Sequence, residues 1–348
     1  MNPSKNNLSA RPMMVNCSGC RTPLQLPSGG RAIRCALCKA VTHIAASPGI
    51  QAPLSSQRPH PHGKKRAVII GVSYFNSPSP LKSCLKDAKC MQHLLINKLK
   101  FPSDSIIMLT EEETHPSHIP TKQNIRMALY WLVKEGCTSG DSLLFYFAGH
   151  GSRQNNYNGD EVDGYDERLC PLDFKTEGEI LDDEINATIV RPLPHGAKLH
   201  SIIDACRSGT VMDLPYLCRM NKDGQYVWEN HQPKSGVWKG TAGGEVIAIS
   251  GCDDDQLSDD TQALSMVTAT GAMTFCFIQA IERSGAQGIT YGSIMNSMRT
   301  TIRNTRIKLG GGFVTTMVNM ITGNRKLKQE PQLTASEPFD IYAKLFSL

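Results

Sequence analysis

Residues 142–151 read SLLFYFAGHG, an apolar run that ends at a histidine between two glycines. The run has the length and composition of a buried strand, and the glycines after it are typical of a turn. A second apolar run, residues 199–203, leads into the sequence DACRSG, which contains Cys206. Parallel strands end at the same edge of a sheet, where ligands bind in open α/β folds. We therefore expect His150 and Cys206 to meet at one sheet edge.

From Arg66 onward the chain alternates strands and helices at a spacing that predicts an α/β fold. This pattern is typical of a mostly parallel sheet with helices on both faces. The predicted strands are residues 67–72, 105–109, 142–147, 199–203 and 245–250, with 339–345 as a last edge strand. The predicted helices are residues 81–99, 121–134, 272–283 and 291–308, the second of them capped by Thr121.

Length and composition exclude several classes of protein. The chain has 348 residues, enough for one large domain and a small module or for two medium domains. No run of eighteen apolar residues is present, which argues against a membrane partner, and a net charge of +5 is too small to indicate nucleic acid by itself. The N-terminus lacks the apolar core of a signal peptide, so we expect reduced cysteines and a cytoplasmic location, with the nucleus as a second compartment.

Composition shifts along the chain predict four segments. They are an irregular N-terminus (1–16), a cysteine module (17–44), a linker with prolines and serines (45–65) and one large domain (66–348). The large domain divides further into residues 66–217, a polar connecting segment 218–244, and residues 245–348. The proline-bearing linker leads us to expect that the cysteine module and the large domain fold separately.

Two CxxC pairs, Cys17 with Cys20 and Cys35 with Cys38, have the spacing of a structural zinc ribbon. So short a segment cannot bury a useful core, so zinc would have to stabilise its fold. His43 is a fifth candidate for four ligand positions, which makes it a bystander. The basic side chains of this module could touch an acidic protein or, less favoured, nucleic acid, or they are simply solvated: Arg21, Arg31, Arg34 and Lys39.

A thiol and an imidazole at one sheet edge are the minimal machinery for nucleophilic acyl transfer. Taken singly, Cys206 is a small buried residue and His150 is unremarkable. Together they follow buried strands and are bracketed by small residues that keep the edge open. His150 then serves as general base or imidazolium partner of the Cys206 thiolate, and backbone N–H groups near Gly209 could hold an oxyanion.

Six short motifs resemble the metacaspases, the caspase-like cysteine peptidases of plants, fungi and protists. They are RAVIIG (66–71), L-x2-C-x2-DA (81–88), FAGHG (147–151), DGYDE (163–167), DAC-x-SGT (204–210) and SGC-x-DDQ (250–256). The cysteine module resembles the LSD1-type zinc finger of the plant type I members. The resemblance implies a caspase-like fold and a catalytic dyad of His150 and Cys206. Arg207 and Ala148 depart from residues that are common in the family, which bears on rate and specificity and not on the mechanism.

The resemblance also implies an acidic pocket formed by Asp87 and Asp204. Paired carboxylates there would accept the side chain of Arg or Lys at the substrate's P1 position, the residue on the N-terminal side of the cleaved bond. Caspases proper require Asp, which such a pocket repels. The alternative is a structural role for Asp87, because a carboxylate near a helix start also complements the helix dipole.

Residues 160–184 contain eleven carboxylates and two basic side chains. An exposed acidic loop accounts for this composition, and so does a calcium site, because calcium binds several carboxylate oxygens. The resemblance places the calcium ligands at Asp166, Asp182, Asp183 and Asp213, with Asp163 as the neighbouring alternative to Asp166. A second acidic cluster at residues 253–260 either extends the negative field toward basic substrates or is a solvated loop.

These observations favour a calcium-dependent cysteine endopeptidase that cleaves after Arg or Lys and regulates programmed cell death or stress and defence responses. Its partners would be protein or peptide substrates and a protein that binds the zinc finger. The connecting segment joins the strand before Cys206 to the next strand, so we expect it to lie near the active-site edge before activation. It offers four basic residues for autocatalytic cleavage: Arg219, Lys222, Lys234 and Lys239. The alternative is a zinc-finger interaction protein or regulator with weak or no peptidase activity. An intact dyad and intact pocket acids favour the enzyme.

Overall fold

The computed structural model divides the chain into two compact units, Met1–Ser56 and Gln57–Leu348. In the first unit it describes the strands β1 Met13–Asn16, β2 Pro23–Leu26, β3 Ala32–Arg34 and β4 Val41–His43. In the second it describes residues 63–81, 83–157, 159, 161–162, 164–205, 209–233, 235–251, 272–283, 288–308 and 331–348. Several predicted residues lie outside these ranges: Cys17, Cys20, Cys35, Cys38, Asp163, Cys206, Lys234 and the cluster 253–260.

The first unit contains two antiparallel hairpins, β1 with β2 and β3 with β4. In the sequence, one CxxC pair lies between β1 and β2 and the other between β3 and β4, the order expected for a zinc ribbon. Irregular structure does not extend to residue 16 as predicted. The apolar residues Met13, Met14 and Val15 form a strand because they pair with residues 24–26 of β2.

The second unit is built on an eight-stranded sheet with the order β13-β12-β15-β14-β11-β7-β5-β6. The strands are β5 Lys65–Gly71, β6 Ile106–Thr110, β7 Ser142–Ala148, β11 Lys198–Asp204, β12 Tyr216–Met220, β13 Tyr226–Asn230, β14 Glu245–Ser250 and β15 Gln332–Ala335. The five strands from β14 to β6 in this order are parallel, and the other three join antiparallel. The mostly parallel sheet is therefore confirmed.

Helices cover both faces of this sheet. They are α1 Cys84–Asn97, α2 Lys122–Lys134, α3 Phe174–Glu177, α4 Asp182–Ile185, α5 Ala272–Arg283 and α6 Tyr291–Lys308. The chain runs from β5 through α1 to β6, and then through α2 back across β5 to β7. Because both crossovers are right-handed, α1 and α2 lie on opposite faces. None of the helices in the described ranges is long and apolar enough to cross a membrane.

The central strands are buried on both faces, which explains their nearly continuous apolar sequences. In β5, β7 and β11 every residue after the first is buried. The register pairs Ala148, the last residue of β7, with Asp204, the last residue of β11. The two strands therefore end side by side, as predicted from their sequences.

A small second sheet follows β7 and consists of β8 Gly151–Asn155, β9 Tyr165–Leu169 and β10 Ile180–Leu181. It continues directly from His150, so the histidine lies at the junction of the two sheets. The acidic stretch of the sequence therefore contains β9, β10 and α4, and it is not simply an exposed loop.

One prediction about the C-terminal half is wrong. Residues 339–345 form turns closed by bonds to the Asp340 carbonyl, and the strand of this region is β15, which lies inside the sheet between β12 and β14. The segment 218–244 contains most of the hairpin β12–β13, which extends the sheet. The hairpin is difficult to recognise in the sequence, because β13 has no buried residue and β12 has only two, Leu217 and Cys218. The helices 272–283 and 291–308 and the strand 245–250 match their predicted bounds.

Candidate active site

His150 stands at the carboxyl end of β7, and its imidazole is held by the loop between β5 and α1. Its Nε2 lies 2.8 Å from the carbonyl oxygen of Ser79. A carbonyl oxygen only accepts hydrogen bonds, so Nε2 is the protonated nitrogen and Nδ1 carries the lone pair. Burial lowers the pKa of His150 below its usual value, an effect that the bond to Ser79 partly offsets. The imidazole is therefore held in the neutral tautomer that accepts a proton at Nδ1.

Tyr74, in the same loop, holds His150 from a second side. Its hydroxyl accepts the backbone N–H of His150 at 3.0 Å and donates to the carbonyl of Cys170 at 2.5 Å. Its ring lies against the imidazole, with the ring centroids 4.6 Å apart. Gly149 leaves room for this contact, because a Cβ there would approach Tyr74 Oη to 3.0 Å and Phe147 Cζ to 2.8 Å. The sequence analysis missed Tyr74.

The nucleophile segment begins at the neighbouring strand end. The backbone N–H of Gly149 donates to the carbonyl of Asp204 at 3.3 Å, so the segments after β7 and β11 leave the sheet side by side. Cys206 follows Asp204 by two residues and lies outside the described residues. The strands thus bring the histidine and the start of the nucleophile segment to one edge.

Asp204 lies buried beneath this edge and is bound by the first turn of α5. Its Oδ2 accepts the backbone N–H of Thr274 at 3.0 Å and the Thr274 hydroxyl at 2.6 Å. The hydroxyl of Tyr146 lies 2.8 Å from Thr274 Oγ1, whose own proton goes to the aspartate. Burial raises the pKa of Asp204 to about 7 against the effect of the Thr274 bonds, and the charge of Asp87 adds to the rise. The carboxylate is therefore costly to ionise unless a cation is nearby.

Asp87 is the second acid of this pair and is buried on α1. Its Oδ2 is buried and has no hydrogen-bond partner among the described residues. Burial raises the pKa of Asp87 to about 6, while Ser83 and Lys86 lower it. The position of Asp87 in the first turn of α1 also suits the helix dipole, so it fits the structural role as well as the pocket role. A buried, incompletely bonded carboxylate beside a second carboxylate is suited to binding a cationic side chain.

Three of the four predicted calcium ligands come together below the second sheet. Asp166, Asp182 and Asp213 are all buried. Burial raises the pKa of Asp182 to about 8, against backbone N–H bonds from Glu167 and Asp183, and the charges of Asp213 and Asp166 add to the rise. The fourth predicted ligand, Asp183, is half-buried and donates its N–H to Asp182 Oδ1 at 2.8 Å.

The sequence analysis missed two further members of this cluster, Glu161 and Lys239. The Lys239 ammonium lies 2.7 Å from Glu161 Oε1 and pairs with Asp213 Oδ1. Burial alone would lower the pKa of Lys239, but the charges of Asp213 and Glu161 outweigh it and raise that pKa. Within the described residues, no three His, Cys, Asp or Glu side chains are arranged to hold a metal ion. We call Glu161, Asp166, Asp182, Asp213 and Lys239 the acidic cluster.

Two other basic residues of the connecting segment, Arg219 and Lys222, lie elsewhere. Arg219 is on β12 and bonds Glu229 at 3.0 Å, and Lys222 is exposed in the turn between β12 and β13. In the sheet order β15 and β14 separate this hairpin from β11. The expectation that the whole segment lies beside the active-site edge is therefore wrong for the hairpin, because pairing with β15 draws it to the far side of the sheet.

Comparisons with known proteins agree with this architecture. A family model described as metacaspase, peptidase C14 domain, matches residues 65–215, and one for the LSD1 zinc finger matches residues 17–41. Metacaspase-1 of Arabidopsis thaliana is 69% identical, with 99% of each chain covered. Metacaspase-2 of the same plant is 46% identical, with 97% of this chain and 100% of the relative covered.

A crystal structure of a Geobacter sulfurreducens protein matches with a TM-score of 0.50 at 19% identity, covering 82% of this chain and 99% of its own, and shows the fold alone. Together the fold and the sequence relationships define a caspase-like cysteine peptidase of the C14 class. The chain belongs to the metacaspase family and carries an LSD1 zinc finger, as the plant type I members do.

Proposed function

We propose that this metacaspase is a calcium-dependent endopeptidase that cleaves after Arg or Lys, with Cys206 as nucleophile and His150 as its base. The observation that carries the proposal is the buried pair of Asp87 and Asp204 at the edge that His150 occupies. One of their carboxylate oxygens, Asp87 Oδ2, is buried without a partner among the described residues. The guanidinium of Arg or the ammonium of Lys supplies the missing donors and the opposite charge.

The tautomer of His150 assigns the proton transfers. Nε2–H donates to Ser79, so Nδ1 accepts the Cys206 thiol proton as sulfur attacks the substrate carbonyl carbon. The tetrahedral intermediate expels the amine, which takes that proton from the imidazolium and leaves an acyl-enzyme. Water then adds to the thioester, its proton passing to Nδ1, and the carboxylic acid departs as the thiol reforms. Acylation and deacylation each end with His150 in the neutral form that its buried site favours.

The donors of the acidic cluster suit calcium, a hard cation that prefers oxygen ligands. We assign Asp166, Asp182, Asp183 and Asp213 as the residues that would hold it. Asp213 Oδ2 is buried without a hydrogen-bond partner among the described residues, which supports the assignment. When bound, calcium would neutralise mutual repulsion among the carboxylates. Asp213 follows Cys206 by only seven residues, so an ion that fixes the position of Asp213 would also restrict the segment that carries Cys206.

The zinc finger completes the proposal. We assign Cys17, Cys20, Cys35 and Cys38 as ligands of one structural zinc ion, with a protein partner for the finger. A role in programmed cell death or in stress and defence responses, and a cytoplasmic location with the nucleus as a second compartment, are proposed on family membership. Self-cleavage in the connecting segment would follow Arg219, Lys222, Lys234 or Lys239.

Turnover of peptides with Arg, Lys or Asp at P1, with and without millimolar calcium, tests the proposal. We expect cleavage of the Arg and Lys peptides only, complete dependence on calcium, and no activity in Cys206→Ala. Asp182→Ala combined with Asp183→Ala should raise the calcium requirement without unfolding the chain. Preference for Asp at P1 would refute the pocket assignment, and full activity in excess chelator would refute the calcium assignment. A wild-type chain that cleaves none of the peptides would favour the interaction-protein alternative.

A further inference from the structure

Lys239 is an unusual lysine because almost none of it reaches solvent. Its exposed fraction is 2%, as is that of Asp213, with which it pairs. Lysine is almost never buried to this extent without a paired charge. Here the ammonium has two carboxylate partners, Asp213 Oδ1 and Glu161 Oε1. The acidic cluster therefore already binds a cation, and that cation is part of the chain.

The segment 235–241, which carries Lys239, has few other anchors, because the backbone bridges to Pro194 begin only at Ala242. In the fully described run 235–244, Lys239 is the only buried residue, and the indole of Trp238 next to it is 57% exposed. The Lys239 backbone carbonyl is reached by Asn186 Nδ2 at 3.5 Å, and the same amide donates to the carbonyl of Asp213 at 2.8 Å. The ion pairs of one side chain thus hold an exposed segment against the residues after the nucleophile.

One ammonium does not satisfy the cluster. Two carboxylates, those of Glu161 and Asp213, share this single ammonium, and the buried carboxylates of Asp166 and Asp182 lie close enough to interact with Asp213 or with each other. Asp213 Oδ2 remains buried without a hydrogen-bond partner among the described residues, although Oδ1 of the same group binds Lys239. A second cation bound through Oδ2 would lie on the same carboxylate as the Lys239 ammonium, and the two positive charges would repel each other.

We propose that Lys239 is the resident cation of the acidic cluster, and that a divalent cation binds there by replacing its ammonium and releasing the segment 235–241. The inference rests on the calcium site proposed above and deepens it. The resident lysine lowers the apparent calcium affinity by the fraction of molecules in which the site is free. The Lys239 side chain then becomes accessible, and hence usable as a cleavage site, only after the cation has bound.

Calcium titration and lysine acylation of the full chain test this inference. Both use the Cys206→Ala chain, which cannot cleave itself. Calorimetry with calcium chloride compares this parent with Lys239→Met, which keeps most of the apolar stem and loses the charge. We expect calcium to bind Lys239→Met at least about tenfold more tightly. Lys239→Arg, which keeps the charge, should stay close to the parent, and so should Lys222→Met in the exposed turn.

Acylation with an N-hydroxysuccinimide ester, read by peptide mass spectrometry, measures how accessible the Lys239 side chain is in the parent chain. We expect Lys239 to be protected in chelator and acylated at saturating calcium, while Lys222 reacts in both conditions. This arm decides the question even if Lys239→Met fails to fold. Lys239 that stays protected while calcium binds, or equal calcium affinity in the parent and Lys239→Met, would overturn the inference and leave the calcium site intact. Absence of calcium binding in the parent and in Lys239→Met alike would overturn the site itself.

Discussion

At the scale of single residues, the proposed role of His150 as a base depends on two groups of one loop. The carbonyl of Ser79 sets which ring nitrogen carries the proton, and the hydroxyl of Tyr74 holds the backbone of the histidine itself. Neither group takes part in bond making. Both act through the geometry of the imidazole, and small errors in such geometry reduce turnover strongly.

Tyr74→Phe tests this positioning role. It removes one hydroxyl and leaves the ring in place. The His150 N–H and the Cys170 carbonyl then lose their common hydrogen-bond partner. We expect kcat to fall about tenfold with KM nearly unchanged, which corresponds to about 1.4 kcal/mol of transition-state stabilisation. Tyr130→Phe, which alters an exposed tyrosine on α2, serves as the matched control. A lower melting temperature with unchanged kcat would make Tyr74 a structural residue only.

The pKa values of the pocket acids predict a pH dependence of substrate affinity. Burial raises the pKa of Asp204 to about 7 and that of Asp87 to about 6, so both acids lose their charge as the pH falls through this range. The affinity of the Cys206→Ala chain for an Arg-P1 peptide should therefore fall between pH 8 and pH 5. The loss should be about 1–3 kcal/mol, the value of a charge-assisted bond.

A peptide with citrulline at P1 is the control, because citrulline keeps the shape of Arg without its charge. Its affinity should be weak and independent of pH. Asp204→Asn should reduce Arg-P1 affinity at pH 8 and remove the part of the pH dependence near pH 7. An Arg-P1 affinity that rises on acidification would contradict the assignment of this pocket.

At the scale of elements, β15 links the two halves of the sheet. It pairs with β14 on one side and β12 on the other, both antiparallel, and it is buried along its whole length. The hairpin β12–β13 therefore joins the parallel strands only through a strand that comes from the end of the chain. The fold of the second unit is thus closed by its last residues.

Thr334→Pro should break this link. Thr334 stands opposite Leu217 in β12 and Ala248 in β14, and proline removes its ladder N–H inside a central strand. We expect a loss of about 3 kcal/mol or more in the free energy of unfolding, read as a lower melting temperature or as insoluble protein. Glu337→Pro, at an exposed position just after the strand, should be mild by comparison. Equal melting temperatures for the two variants would show that β15 contributes little.

At the scale of the whole molecule, the two units are separate compact bodies. The described part of the first contains two short hairpins, and residues 17–41 match the LSD1 zinc finger, so we expect this unit to fold on metal. The second has an extensive apolar core of its own around β5, β7 and β11. Its folding should therefore be independent of zinc.

Removal of residues 1–56 tests this independence. The chain 57–348 should keep its melting temperature and its kcat/KM for an Arg-P1 peptide, and it should contain no zinc by mass spectrometry. The full chain should contain about one zinc ion, which a chelator removes without altering peptidase turnover. Loss of activity on removal of residues 1–56 would show that the first unit takes part in catalysis.

The sequence by itself determined the elements and the residue types of the site. Buried parallel strands have continuous apolar runs, so residues 142–151 and 199–209 revealed two strand ends and the reactive residues beyond them. Periodicity likewise located α2, α5 and α6, because each of these helices buries one face. Cysteine spacing indicated the zinc ribbon for a similar reason, since metal geometry restricts local spacing.

Only the tertiary structure decided which distant residues meet. Tyr74 contacts His150 across 76 residues, Thr274 contacts Asp204 across 70, and Lys239 contacts Glu161 across 78. The insertion of β15 between β12 and β14 is a choice of the same kind. Local patterns record whether a residue is buried, but not its partner. Among the described basic residues of the connecting segment, only Lys239 lies in the acidic cluster. Packing brings it there and places Arg219 and Lys222 on the β12–β13 hairpin.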